Sequence, residues 1–192
     1  MNTHLSMAAF ALAASISPGP VNVLVLASAA QGGFWWGMRV ATGATVGFSA
    51  LLLAVGCGLR AVMERVPGLN LGFQIAGVAF LLYMAYGLWR STGRLSSEGV
   101  APASMWKGAS MQWINPKAWL CAVAGVSTFA ADGRMGSLLF FCAVYFGVCL
   151  VSMGVWAAAG AWAKRLLLDP VRSRIMTRCL AVLLVGSIAF IV

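Results

Sequence analysis

The sequence predicts an all-α integral membrane protein of six transmembrane helices, arranged as two inverted three-helix repeats with interrupted first helices. Three observations carry this. Apolar residues make up 61% of the chain and charged residues only 9%, too little charge to cover a soluble domain of 192 residues. The apolar residues fall into six runs close to the length of about 20 that crosses a bilayer as a helix. Proline breaks stand in the first run of each set of three, at Pro18-Gly19-Pro20 and at Asn115-Pro116.

The spans run near Leu5–Ser28, Val40–Leu59, Leu69–Trp89, Ala109–Ala130, Gly136–Ala163 and Ile175–Val192. The first has small residues near Ser15 but no basic region before it; His4 is the only side-chain cation there. Its apolar run continues past Pro20 to Ala30, too long for a signal-peptide core, so it is expected to remain as a span. The second opens GGFWWGMRVATGATVGF. Gly33 with Gly37, and Gly43 with Gly47, stand four residues apart, a spacing that lets helices approach closely. These glycines are expected to pack the second span against the broken first one. The third ends at the longest polar connection, RSTGRLSSEGVAPASMWK. This divides one transmembrane domain, 1–192, into halves of about 1–90 and 108–192 joined by a linker, 91–107. Three spans per half is an odd number, so the second half enters the membrane upside down, as in an inverted-topology repeat.

Charge sets the orientation. The formal net charge is +9. Nine basic residues (Arg39, Arg90, Arg94, Lys107, Lys164, Arg165, Arg172, Arg174 and Arg178) fall on the side that receives the loops after spans one, three and five. Arg60, Arg65 and Arg134 fall on the other. The basic side is cytoplasmic by the positive-inside rule, which puts both termini in the periplasm. Trp35, Trp36, Trp89, Trp106 and Trp162 lie near the same boundary, as an interfacial belt requires. The excess charge reads as topology signal and lipid-headgroup contact, and there is no continuous basic face for nucleic acid.

The two breaks carry the chemistry. Proline removes a backbone donor and clashes with the preceding turn, so Pro18, Gly19 and Pro20 should break span one, and Pro116 should at least kink span four. Carbonyls freed in hydrocarbon survive only against protein or a water-filled cavity. Paired interruptions in matching spans point to a transporter's midplane site. Each break brings an amide, Asn22 in one and Gln112 with Asn115 in the other, and the second adds Lys117, ten residues past Lys107. A lysine about 15 Å into the membrane is costly unless it has a task. Its structural alternative is snorkelling to the cytoplasmic surface. Carbonyls, amides and one ammonium suit a small zwitterion: the ammonium pairs with a carboxylate and the carbonyls take an amino group.

Other chemistries find less support. The five cysteines form no C-x-x-C pair and all lie in apolar runs, where thiols act as small hydrophobes. A membrane thiol-redox relay would need paired reactive cysteines, and a divalent-metal exporter would need His, Asp or Glu within the spans. A hydrolase would need a nucleophile beside a base. No metal or other cofactor is implied. The acids Glu64, Glu98, Asp132 and Asp169 all fall in loops; Asp132, at the outer end of span four, is the candidate proton carrier among them, and Lys117 is a second candidate. The sequence is compatible with a homodimer and does not require one.

Pro18-Gly19-Pro20 followed by Asn22, the G-F-x-x-G opening of span two, and Asn115-Pro116-Lys117-Ala118-Trp119 together resemble the LysE/RhtB family of amino-acid exporters. The resemblance covers the whole chain in span count and motif order. It implies a bacterial inner-membrane carrier that expels small amino acids or their derivatives, driven by the proton gradient. Gln112, Asn115, Lys117 and Ser127-Thr128-Phe129 are similar to the cysteine and O-acetylserine branch. The chain departs from the family where Val21 follows Pro20 in place of a polar residue, and where Trp35 and Trp36 replace arginine. The first departure bears on specificity and the second on the cytoplasmic entrance.

Overall fold

The computed structural model describes residues 3–59, 104–167 and 169–186, with scattered positions between 75 and 90. Among these residues every regular element is helical. In chain order they are α1 (Thr3–Ile16), α2 (Pro20–Gly32), α3 (Phe34–Ala54, continued by a π turn over Val55–Leu59), α4 (Met105–Ile114), α5 (Pro116–Phe129), α6 (Met135–Leu167) and α7 (Pro170–Gly186). Most of the expected third span, and the linker after it, lie outside the described residues.

Span one is broken as its prolines require: α1 and α2 meet at 62°. Pro20 opens α2, where a missing N–H costs nothing because the first turn has no partner for it. Span four is divided in the same way by Asn115 (φ −91°, ψ 107°), with Pro116 opening α5. Among the described residues α3 and α6 qualify as spans by length and apolar composition, and the bent pair α1–α2 adds a third when counted as one span. The second span starts earlier than the expected Val40. Gly33, at φ +90°, turns the chain so sharply that α2 runs into α3 without a loop. The opening FWWGMR is therefore helical, with Trp35 exposed. The 33 residues of α6 are about 50 Å long, more than the roughly 30 Å hydrocarbon core, so this helix tilts or projects beyond it.

Helix α6 is the central post. Ser15 Oγ bonds Ser152 Oγ at 2.8 Å and Gly160 lies against the Leu26 carbonyl, so α1 and α2 run parallel to it. Helix α3 runs antiparallel to it, pairing Gly37 with Ala157, Thr45 with Cys149 and Phe48 with Tyr145. Helix α4 lies parallel to α3, with Gly43 over the Met105 carbonyl and Gly47 over that of Ala109. The core is correspondingly made of small and branched residues, among them Ala11, Val25, Ala44, Leu51, Ala122 and Ala157. Trp35 and Trp106 open α3 and α4 and Trp162 closes α6; these registers bring all three, exposed, to one end of the bundle.

The span-two glycines divide their work differently from the expectation. Gly37 packs on α2, where a Cβ would meet that of Ala29 at 2.7 Å. Gly43 and Gly47 face α4, because α3 lies between the two broken helices and successive turns meet different neighbours. At Gly33 a Cβ would meet nothing within 4 Å, and this glycine serves the turn. Gly43→Ala would drive a methyl into backbone, which cannot yield as a side chain does. It should lower the melting temperature of the purified protein sharply, by the equivalent of about 2 kcal/mol or more. Gly147→Ala in α6, where nothing stands within 4 Å, should leave the melt unchanged or raise it slightly.

Candidate functional site

The break in span one frees five consecutive carbonyls, Ala14 to Pro18. In an unbroken helix each would accept from the residue four ahead, but Pro18 and Pro20 have no N–H and the bend removes the others. All five are satisfied by side chains. Ser17 Oγ donates to Ala14 O at 3.2 Å. Asn22 Nδ2 donates to Ser15 O at 2.7 Å and Trp156 Nε1 to Ile16 O at 3.2 Å. Lys117 Nζ donates to Ser17 O at 2.8 Å, Pro18 O at 3.2 Å and Ser17 Oγ at 2.7 Å. A buried carbonyl left bare costs about 1–3 kcal/mol, so these partners are what make the break tenable in a membrane.

The second break supplies that lysine. Asn115 Oδ1 accepts from Lys117 N at 3.2 Å and caps α5. The Trp113 carbonyl, deprived of that amide, accepts from Trp119 Nε1 at 2.8 Å. Gln112 Nε2 reaches across to Ala44 O of α3 at 3.2 Å. Asn22, Gln112 and Asn115 are each at most 5% exposed. The two breaks therefore meet at one point, and Lys117 joins them. A Cβ on Gly19 would lie 3.4 Å from the lysine Nζ and 3.5 Å from Asn22 Oδ1. Its φ of −167° is extended backbone that any residue adopts, and those distances are ordinary contacts, so Gly19 packs against the ammonium without being required there.

Beside this junction is a cavity of about 30 Å³, lined by Ser15, Val21, Asn22, Gln112, Asn115, Lys117 and, from α3 and α6, Phe48, Tyr145, Cys149 and Met153. That is room for one or two waters and too little for an amino acid. The first turns of α2 and α5 both border it, and helix N-termini favour an anion. Among the described residues no carboxylate faces the ammonium; Asp169 pairs with Arg172 at 3.4 Å, and Asp132 is exposed. The junction is thus cationic, held by neutral oxygens alone.

The structure brings Pro18, Gly19, Pro20, Asn22, Gln112, Asn115, Pro116 and Lys117 to this junction and leaves Asp132 away from it. Asp132 accepts from Ser137 Oγ at 2.6 Å and from Arg134 N at 3.1 Å, at the start of α6. These bonds, that to Ser137 first, hold its carboxyl below the usual carboxylate value. Trp156, Tyr145 and Phe48 were not marked by the sequence as site residues. Each lies in an apolar run, and a buried Trp or Tyr that needs a partner for its polar tip is the signal that could have found two of them.

A lysine and three amides gathered where two helices break, among helices long and apolar enough to cross a membrane, fit a membrane translocator. The chain belongs to the LysE type translocator family, whose model matches residues 12–191. The family is one of carriers and not of enzymes. Curated relatives include the cysteine/O-acetylserine efflux protein of Klebsiella pneumoniae, 26% identical over 83% of this chain and 82% of that protein. The protein of the same description from Escherichia coli K12 is 28% identical over 82% of each chain. No solved structure matches.

Two outcomes follow from the hydrogen bonds. Trp156→Phe keeps an aromatic ring and loses the N–H, leaving Ile16 O bare; it should destabilise the protein by about 1–3 kcal/mol in a thermal melt. Because the folded pKa of Asp132 is depressed, its contribution is complete above the unfolded value of about 4 and is lost as pH falls through the folded one. Melts of wild type and Ser137→Ala should therefore differ most near neutral pH and converge on strong acidification.

Proposed function

We propose that the protein is a secondary carrier of the bacterial inner membrane that exports small amino acids or their derivatives by alternating access. The observation that carries this is Lys117 bound to the carbonyls of the first break with no carboxylate beside it among the described residues. A zwitterion matches both partners once they separate. Its carboxylate takes the ammonium, and its own ammonium takes the oxygens of Ser17 and Pro18 that the lysine gives up. Two added charges of opposite sign leave the net charge of the site unchanged, which limits the desolvation cost. The efflux descriptions of the curated relatives support an amino acid as this zwitterion.

The cavity is too small for an amino acid, so the halves must part before a substrate can be held there. The inverted repeat supplies the means: six spans in one domain, with α1–α2 opposed by α4–α5 and α3 by α6. The antiparallel run of α3 on α6, and the matching of the α1–α2 pair along α6 by α4 along α3, support that arrangement. The charge bias supports entry from the basic, cytoplasmic side with both termini periplasmic. We assign coupling to the proton gradient. The contacts that keep Asp132 ionised work against it as the proton carrier near neutral pH, which shifts the role toward Lys117.

The test is efflux of a panel of labelled amino acids from loaded proteoliposomes, with Lys117→Ala and Lys117→Gln beside wild type. Both variants should cut export about 30- to 150-fold, the effect of losing a charged hydrogen-bonded pair worth about 2–3 kcal/mol. Glutamine should also recover part of the melting temperature, since its amide can still donate to the Ser17 or Pro18 carbonyl. Normal export by either variant would remove the lysine from the carboxylate site. If wild type exports no member of the panel, the amino-acid reading fails.

A further inference from the structure

The cavity wall away from the breaks contains a tyrosine whose hydroxyl the fold does not use. Tyr145 on α6 is 4% exposed. Its ring stacks on Phe48 (centroids 4.3 Å, 22° between planes) and meets Phe141 edge-on (6.0 Å, 83°), so the phenol is held in one orientation. The other strongly polar side chains of the wall have protein partners. Ser15 bonds Ala11 O and Ser152, while Asn22, Gln112, Asn115 and Lys117 hold the contacts already described. Among the described residues, nothing hydrogen-bonds the Tyr145 hydroxyl. A buried tyrosine ordinarily finds a partner for this group, and phenylalanine would stack on Phe48 equally well. The hydroxyl has its use, then, in what enters the cavity.

We propose that the Tyr145 hydroxyl is a specificity-determining group that hydrogen-bonds the side chain of the bound substrate. This rests on the amino-acid reading above. In that reading the α-carboxylate is taken by Lys117 on α5 and the α-ammonium by the oxygens of the break between α1 and α2, which leaves the wall from α3 and α6 for the side chain. A phenol both donates and accepts, so it suits a hydroxyl, a thiol or an ester carbonyl. Phe48 and Met153 on the same wall bound the length that fits. The selected class is a short side chain bearing one hydrogen-bonding group. A wall built to bond that group discriminates against the analogue lacking it, because the hydroxyl is then left bare.

Serine and alanine differ by that one group. Efflux of each from proteoliposomes, with wild type and Tyr145→Phe, gives the ratio of their kcat/KM values. The ratio should favour serine in wild type and fall about 5- to 30-fold in the variant, the range for one buried hydrogen bond. The variant should melt no lower than wild type, since the hydroxyl bonds nothing in the protein. An unchanged ratio would mean that the hydroxyl merely holds a water, and would overturn the inference while leaving amino-acid export standing. A lower melting temperature with equal losses for both substrates would overturn it too, by making the hydroxyl structural. Wild type that carries neither these two nor any other amino acid would refute the export reading itself, and this inference with it.

Discussion

A carbonyl in hydrocarbon must have a donor, and the five freed between Ala14 and Pro18 organise this molecule. Their donors come from three places: the break itself (Ser17), the helix just beyond it (Asn22), and distant helices (Trp156 and Lys117). The local donors hold the shape of the bend. The distant ones tie it to α6 and α5, so the bend cannot change without pulling on both.

This arrangement gives the proposed cycle its switch. In this conformation the lysine and the carbonyls satisfy each other, and the cavity beside them has room for only one or two waters. A zwitterion offers a replacement partner to each, so the bond across the breaks is exchanged for bonds to substrate at little net cost. A lone cation would leave Lys117 with no gain, and a lone anion would leave the carbonyls bare. Neutral oxygens in place of a carboxylate make the lysine displaceable, since a buried lysine–carboxylate pair would be far costlier to separate. The side-chain wall, built around Phe48 and Tyr145, is set by packing between α3 and α6 and is independent of this exchange.

Much of this was legible along the chain. Both breaks were readable because proline has the same backbone consequence wherever it occurs, and Asn22, Asn115 and Lys117 stood beside them. The four-residue glycine spacing correctly announced close packing, but spacing names no neighbour. Gly43 and Gly47 turned out to serve α4 because α3 lies between the two broken helices. Gly33 looked like part of the same stripe and is instead a turn at positive φ. Asp132 was singled out by its place at the outer end of span four, where the structure shows it bonded to Ser137 and Arg134 at the start of α6.

By itself the sequence determined the membrane setting, the places where the helices break, and the polar groups stationed at each break. These follow from composition and from proline's missing donor, which do not depend on neighbours. Only the tertiary structure decided which donor meets which carbonyl. Lys117 and Ser17 are a hundred residues apart, and Trp156 lies farther still from Ile16. Periodicity cannot pair groups on different helices. That pairing is settled by helix packing, which turns one lysine toward the first break and sets Tyr145 in the cavity wall.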